Sequence, residues 1–377
     1  MDFSWTPEQG RLYKDILHRV RENISLEQAD RFWTRTQWEL CGAFGLLGLS
    51  VPQHYGGRGY DCLTTALAIE AFGRACPDMG LVFSAAAHLF ACCMPLAEHG
   101  NEEQKKRWLP GLCSGELIGA NAISEPEAGS DVFAMKSRAI RDGASYVLQG
   151  VKSYVSNAPV ADIFVIYAST EPAHGYLGIT AFVVERGTPG LEVSEPFAKM
   201  GLTTTPAGQV TLHNCRIPDT NRIGAEGQGA QVFRHSMLWE RACLFAAYLG
   251  QMDRQLEQTL EFVRSRHQFG QALSKKQAVT HRLADMKLRL EAARLLLYRA
   301  CWQQALGEDA TLAISLSKLA VSEAAIQASL DTLHLHGSKG FNCEAGLERM
   351  LRDAIPSTLF SGTSEIQRDI IARELGL

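Results

Sequence analysis

The feature that most restricts this chain is a change of period. Helical spacing of apolar residues runs from Thr6 to about Glu116, gives way to short β-type runs from about Ile118 to Ile223, and returns from about Gly224 to Leu377. In the middle block, "YVLQGVKSYVS", "DIFVIYAST", "GITAFVVER" and "GQVTLHNCRIP" are rich in Val, Ile, Tyr, Phe and Thr and are divided by Gly, Pro, Asn and Asp. That is the texture of a small, mostly antiparallel β domain. A nucleotide-binding βαβ fold would alternate the two textures and place a G-x-G-x-x-G turn after its first strand, and the chain has neither. The expected class is α+β, mainly α, in three domains: 1–116 helical, 117–223 β, and 224–377 a helical bundle.

Within the first block "LTTALAIEAFGRA" and "AAHLFACCMPLAEHG" return apolar residues every three or four positions. "SVPQHYGGRGYD", with its Pro and three glycines, cannot continue a helix and reads as a loop between helical elements. In the third block Leu283, Met286, Leu290, Ala293 and Leu297 mark one buried stripe on a long helix of a bundle.

Composition removes several function classes. A hydrophobic content of 46% with 21% charged residues is that of an ordinary globular protein, and 377 residues suffice for two or three domains. The net charge of -4 comes from well-mixed signs without an extended basic run, so no nucleic-acid partner is expected. The start "MDFSWTPEQGRLYKDILHRV" has no apolar core after a basic segment. No uncharged apolar run of membrane-spanning length is read along the chain, so neither a leader nor a membrane is expected, and the cytoplasm is the expected location. The ten cysteines form no paired CxxC units and read as buried free thiols, and the eleven histidines include no HExxH, so no metal is expected.

Chemistry concentrates in "ANAISEPEAGSD", "YVSNAP", "RSRHQFGQ", "HLHGSKGF" and "LFSGTSEIQ", supported by the loop "VPQHYGGRGY". At these motifs, in this order, the chain resembles the acyl-CoA dehydrogenase family over essentially its whole length. The resemblance implies an N-terminal helical domain, a central antiparallel, barrel-like β domain and a C-terminal four-helix bundle. It also implies a homotetramer or homodimer, with FAD between the β domain and the bundle and partly under a neighbouring subunit.

The same resemblance assigns roles. Ile123 and Ser124 would meet the polar edge of the flavin ring. Tyr154 and Ser156 stand where the family has an aromatic residue, often Trp, and a Thr on the flavin. Arg266, Phe269 and Gln277 would reach the FAD pyrophosphate and adenine of the adjacent subunit, a planar guanidinium suiting two phosphate oxygens at once. His334 and Ser338 belong to a glycine-containing turn on that pyrophosphate, where the family usually has Gln and often Gly. Thr363 and Glu365 complete the cofactor set. Ser130 would lie along the thioester tail, and Trp239 and Arg241 beside the acyl group.

The family's reaction removes an α proton and a β hydride from an acyl thioester, which requires a carboxylate in a desolvated pocket. The residue before Gly-Thr, often that glutamate, is Ser361 here. "HSMLWERACLFAAYLG" resembles the branches in which the base comes from this helix, which makes Glu240 the expected base. Ser361 then retains the backbone N–H that holds the thioester carbonyl as enolate charge develops. Glu125 matches a structural or flavin-facing position. The bundle segments are similar to the subgroup that oxidises acyl or aminoacyl groups, prolyl included, on the phosphopantetheine arm of a carrier protein in natural-product assembly. A short- or branched-chain acyl-CoA dehydrogenase of catabolism, a flavin oxidase or monooxygenase on the same fold, and a scaffold without a base are the other readings. An electron-transfer flavoprotein or oxygen would take the electrons.

Overall fold

The structure, a computed structural model, describes residues 4–25 and 32–377. The N-terminal helices are α1 (Pro7–Asn23), α2 (Arg35–Ala43), α3 (Cys62–Ala75), α4 (Met79–His88), α5 (Met94–His99) and α6 (Glu102–Ser114). Their starts are written locally: Thr6, Thr34 and Asn101 each accept from the N3 amide while Gln9, Gln37 and Gln104 reach back to the cap amide. The "SVPQHYGGRGYD" segment is a loop with one short turn, Gln53–Tyr55, and the Tyr55 hydroxyl is anchored on Glu102.

Helices α4 and α5 are joined through a widened π turn, Leu89–Cys93, into one helical stretch from Met79 to His99. This stretch corrects the expectation that no apolar run reaches spanning length. Its mean hydropathy over the best window is 1.7, but 94% of that window is buried inside the protein. It is apolar all round because protein surrounds it.

The middle block forms β1 (Gly119–Ala122), β2 (Arg138–Asp142), β3 (Ser145–Ser156), β4 (Ile163–Ser169), β5 (Ile179–Glu185), β6 (Leu191–Val193), β7 (Ala207–Pro218) and β8 (Arg222–Ile223). They make one eight-stranded sheet of order β6-β7-β3-β2-β4-β5-β8, with β1 added parallel to β4. Most pairings are antiparallel; β2 also meets β4 in parallel at Arg138 and Ser169. The β3–β7 ladder slips between Lys152 and Val155. A bulge of this kind re-aims a side chain, here Tyr154.

The last block supplies α7 (Gly229–Trp239), α8 (Ala246–Ser265), a small hairpin of β9 (His267–Gln268) and β10 (Gln271–Ala272), α9 (Gln277–Ala305), α10 (Thr311–His336), α11 (Ser338–Phe341), α12 (Leu347–Ala354) and α13 (Ser364–Glu374). Helices α8, α9, α10 and α13 form the bundle, with α10 touching the other three. Leu283, Met286, Leu290, Ala293 and Leu297 are all buried along α9. The N-terminal helices join the bundle where α3 crosses α8 almost backbone to backbone: a Cβ on Gly73 would lie 2.2 Å from the Ala247 carbonyl oxygen. Nine cysteines are free and buried, and Cys343 is free and exposed.

Candidate active site

A cavity of about 440 Å³ opens where the β domain, α4, α7 and the loop before α13 meet. Its base is apolar, built from Phe83, Phe233, Met237 and Phe360, with the Phe83 and Phe360 rings 4.7 Å apart. Ser124, Ser130 and Ser156 bring side-chain hydroxyls that have no protein partner among the described residues. Tyr154, in the left-handed region at φ 59° and 70% exposed, also reaches the wall.

Among the described residues Glu240 is the one carboxyl side chain on that wall, and it is only 8% exposed. It opens a π turn, Glu240–Leu244, that follows α7 directly. Phe233, Met237 and Glu240 therefore line up at helical spacing on the face of α7 that looks into the cavity. Burial pushes the Glu240 carboxyl above the ordinary carboxylate range, against the hydrogen bond and the positive charge supplied by Ser361 and Arg241.

The Ser361 hydroxyl donates to Glu240 Oε1. Ser361 itself is held in the left-handed region at φ 56°, unusual for a residue with a side chain, and Gly362 follows at φ 85°. Two side chains hold this bend: Arg241 Nε donates to the Ser361 carbonyl at 2.7 Å, and Gln367 Nε2 donates to the Gly362 carbonyl at 3.1 Å. Thr363 caps α13 by accepting from the Ile366 amide.

Not all of the expected site residues come together here. Ile123, Ser124, Ser130, Tyr154, Ser156, Glu240, Ser361 and Thr363 share the cavity wall. Trp239 does not: its indole N–H donates to Glu98 at 2.6 Å on the far side of α7, so it cannot narrow an acyl pocket. Arg241 is also off the wall and acts on the Ser361 backbone. Glu365 has a side chain 78% exposed, paired with Arg368 at 3.8 Å, and does not reach the cavity.

Arg266, His334 and Ser338 meet in a separate hollow of about 510 Å³ between the end of α8 and the turn after α10. Phe269 stands 91% exposed at the tip of the β9–β10 turn, and Gln277 is exposed with its amide against His281 at 3.3 Å. Neither lines the hollow. Glu125 is structural. It accepts from the Lys136 and Ser137 amides and the Ser137 hydroxyl, and its Oε1 lies 2.9 Å from the fully buried Lys152 ammonium. Burial alone would raise its pKa, but Lys152 and these donors hold it below the usual range. The Lys152 pKa is pushed down to about 8 by the same burial, against the pull of Glu125.

The residues fit the expected flavin. The cavity presents an outward-turned aromatic ring and unpaired hydroxyls over an apolar floor, as a flat heterocycle with one polar edge requires. The hollow offers Arg266 and Lys339 beside a glycine turn at Gly337, as a pyrophosphate requires. Sequence reading missed the apolar floor and the Ser361–Glu240 hydrogen bond. The first was visible as the i, i+4, i+7 spacing of Phe233, Met237 and Glu240; the second spans 121 residues and had no local signal.

Comparison with known proteins finds matches along nearly the whole chain. The acyl-CoA dehydrogenase N-terminal domain matches residues 7–116, the middle domain 120–215 and the C-terminal domain 227–376. An L-prolyl-[peptidyl-carrier protein] dehydrogenase of Pseudomonas fluorescens is 54% identical over 381 aligned residues, covering all of both chains. The crystal structure of the prolyl acyl carrier protein oxidase AnaB is similar at a TM-score of 0.97 and 42% identity, covering 99% of this chain and 100% of that one. A structure of PigA with FAD and proline gives a TM-score of 0.98 at 42% identity with full coverage of both.

Proposed function

The chain belongs to the acyl-CoA dehydrogenase family, and we propose that it introduces a Cα–Cβ double bond into a prolyl group carried as a thioester on a peptidyl carrier protein. It is an FAD-dependent oxidoreductase of the CH–CH class. The observation that carries the proposal is Glu240, a buried carboxylate with a raised pKa on the wall of a cavity floored by Phe83, Phe233, Met237 and Phe360.

The α proton of the prolyl thioester passes to Glu240, whose raised pKa narrows the gap to that weak carbon acid. The chemistry that FAD supplies when bound is a two-electron sink for the β hydride. Ser361, bent at φ 56°, offers its backbone N–H to the thioester carbonyl and its hydroxyl to Glu240. Phe83, Phe233, Met237 and Phe360 exclude water from the reacting carbons. Ser124, Tyr154, Ser156 and Thr363 would hold the flavin, and Arg266, His334 and Ser338 the pyrophosphate.

Two further assignments belong to this reading. The description of AnaB as an oxidase supports dioxygen, reduced to hydrogen peroxide, as the final acceptor in place of an electron-transfer flavoprotein. Exposed Phe269 and Phe341 beside the hollow support a homo-oligomer in which a second subunit covers them, and ten unpaired thiols support a reducing, cytoplasmic setting.

The test is flavin bleaching. Purified yellow protein mixed anaerobically with prolyl-loaded carrier protein should lose its flavin absorbance rapidly, and butyryl-CoA or isovaleryl-CoA should act far more slowly. Faster bleaching by either CoA ester would refute the carrier-bound prolyl substrate. Glu240→Gln should stay yellow and slow the bleaching by about a hundredfold or more; turnover near the parent rate would remove Glu240 as the base.

A further inference from the structure

Outside the cavity, on the opposite side of α7, three side chains converge without a role in the reaction. Glu98 and His99 end α5, and His235 stands on α7 four residues before Trp239. His99 Nε2 lies 3.0 Å from His235 Nδ1, and Glu98 Oε2 lies 3.9 Å from the first and 3.8 Å from the second. One possible ligand atom from each residue lies within 4.8 Å of the other two.

Those separations have a chemical meaning. In a tetrahedral site with metal–ligand bonds of 2.0–2.2 Å, neighbouring donor atoms stand about 3.4 Å apart. The observed edges bracket that value, so shifts of a few tenths of an ångström would close the triangle on an ion. Without one, the two ring nitrogens share a single proton, and Glu98 Oε2 faces both rings beyond hydrogen-bond distance.

The carboxylate is also oriented from behind: the Trp239 indole N–H donates to Glu98 Oε1 at 2.6 Å, leaving Oε2 turned to the rings. A partner behind a ligand is the usual support of a metal site. Lys105, whose charge reaches His99, is itself paired with Glu102 at 3.9 Å. The Glu98 and His235 side chains are 31% and 39% exposed, which leaves one face open for a solvent ligand and for entry.

We propose that Glu98, His99 and His235 form a binding site for a divalent transition-metal ion of the Zn2+ class, with solvent as the fourth ligand. Two imidazoles and one carboxylate suit Zn2+, Co2+ or Ni2+ and disfavour Mg2+ and Ca2+, which take oxygen ligands. The ion would tie α5 to α7 on its outer face while Phe233, Met237 and Glu240 occupy its inner face. It is a brace behind the helix that carries Glu240, and it takes no part in the reaction.

The experiment uses untagged, chelator-treated FAD protein titrated with CoCl2 and then ZnCl2. One Co2+ per chain is expected, with the visible d–d absorption of low-coordinate Co2+, displaced by Zn2+ and unaffected by Mg2+. His99→Ala and His235→Ala should abolish the signal, and Trp239→Phe should weaken binding about tenfold. Flavin absorbance and cooperative melting report whether each variant is folded; if either alanine variant fails that control, Glu98→Gln, which keeps the side-chain shape, takes its place. Co2+ binding that survives these substitutions, or no binding beyond that of His99→Ala/His235→Ala, overturns the proposal.

Discussion

Ser361→Ala isolates one hydrogen bond. In the parent protein the Glu240 carboxyl is raised by burial, and the Ser361 hydroxyl opposes that rise by donating to the ionised form. Removing the hydroxyl leaves the burial and takes away the donor, so the pKa of Glu240 goes up further. A hydrogen bond to a charged group contributes about 1.5–3 kcal/mol, and one pKa unit corresponds to about 1.4 kcal/mol. The expected shift is about one to two units, at the lower end if a water replaces the hydroxyl.

Glu240 must be ionised to take the proton, so the acid limb of the bleaching rate with prolyl-loaded carrier should move to higher pH by that amount. The rate on the acid side of the new limb should fall, and above the limb it should recover. Stability follows the same sign. A carboxyl with a raised folded pKa binds more protons in the folded state, so its burden on stability grows as pH rises through the window between unfolded and folded values. The thermal midpoint of Ser361→Ala should therefore drop below the parent mainly on the alkaline side. Ser361→Gly should move the pH limb equally while melting higher than Ser361→Ala by about 1 kcal/mol, because glycine adopts φ 56° without strain. An acid limb that stays in place, or moves down, in both variants would refute the reasoning.

Other expectations come from the same structure. Glu240→Gln/Ser361→Glu moves a carboxylate to the opposite lip of the cavity and should bleach at least about tenfold faster than Glu240→Gln alone, read by stopped flow. Arg241→Gln frees the Ser361 carbonyl and should cost about 1.5–3 kcal/mol in the barrier to bleaching while FAD stays bound, which flavin absorbance checks. Lys152→Met strands Glu125 and should lower stability by about 3–5 kcal/mol by denaturant titration, with Lys152→Met/Glu125→Gln losing less than the single change. Gly73→Ala forces a Cβ onto the Ala247 carbonyl and should cost about 1–3 kcal/mol, seen as a lower melting temperature.

Much of the architecture was legible because period is a local property. The helical stripe of α9 and the strands β3, β4, β5 and β7 stand where the spacing and composition of their residues put them. The Met79–His99 stretch was the exception. An all-round apolar helix reads alike whether lipid or protein covers it, and only the packing shows that protein does. The site was legible in part: Glu240 stood out as a carboxylate among Met237, Leu238, Trp239, Cys243 and Leu244, and resemblance supplied its role.

Its neighbours show where such reading ends. Successive residues on a helix point about 100° apart, so Trp239, Glu240 and Arg241 face three different surroundings although they are adjacent in the chain. Glu240 enters the cavity, Trp239 binds Glu98 on the outer face, and Arg241 holds the Ser361 backbone. The amino-acid order alone determined the three-block architecture and the buried helix faces, since each depends on periodicity or residue type. The tertiary structure alone decided that Ser361 meets Glu240 and that Trp239 turns away from the cavity. Those outcomes depend on how α7 docks against α5 and on the loop before α13, contacts between residues more than a hundred positions apart.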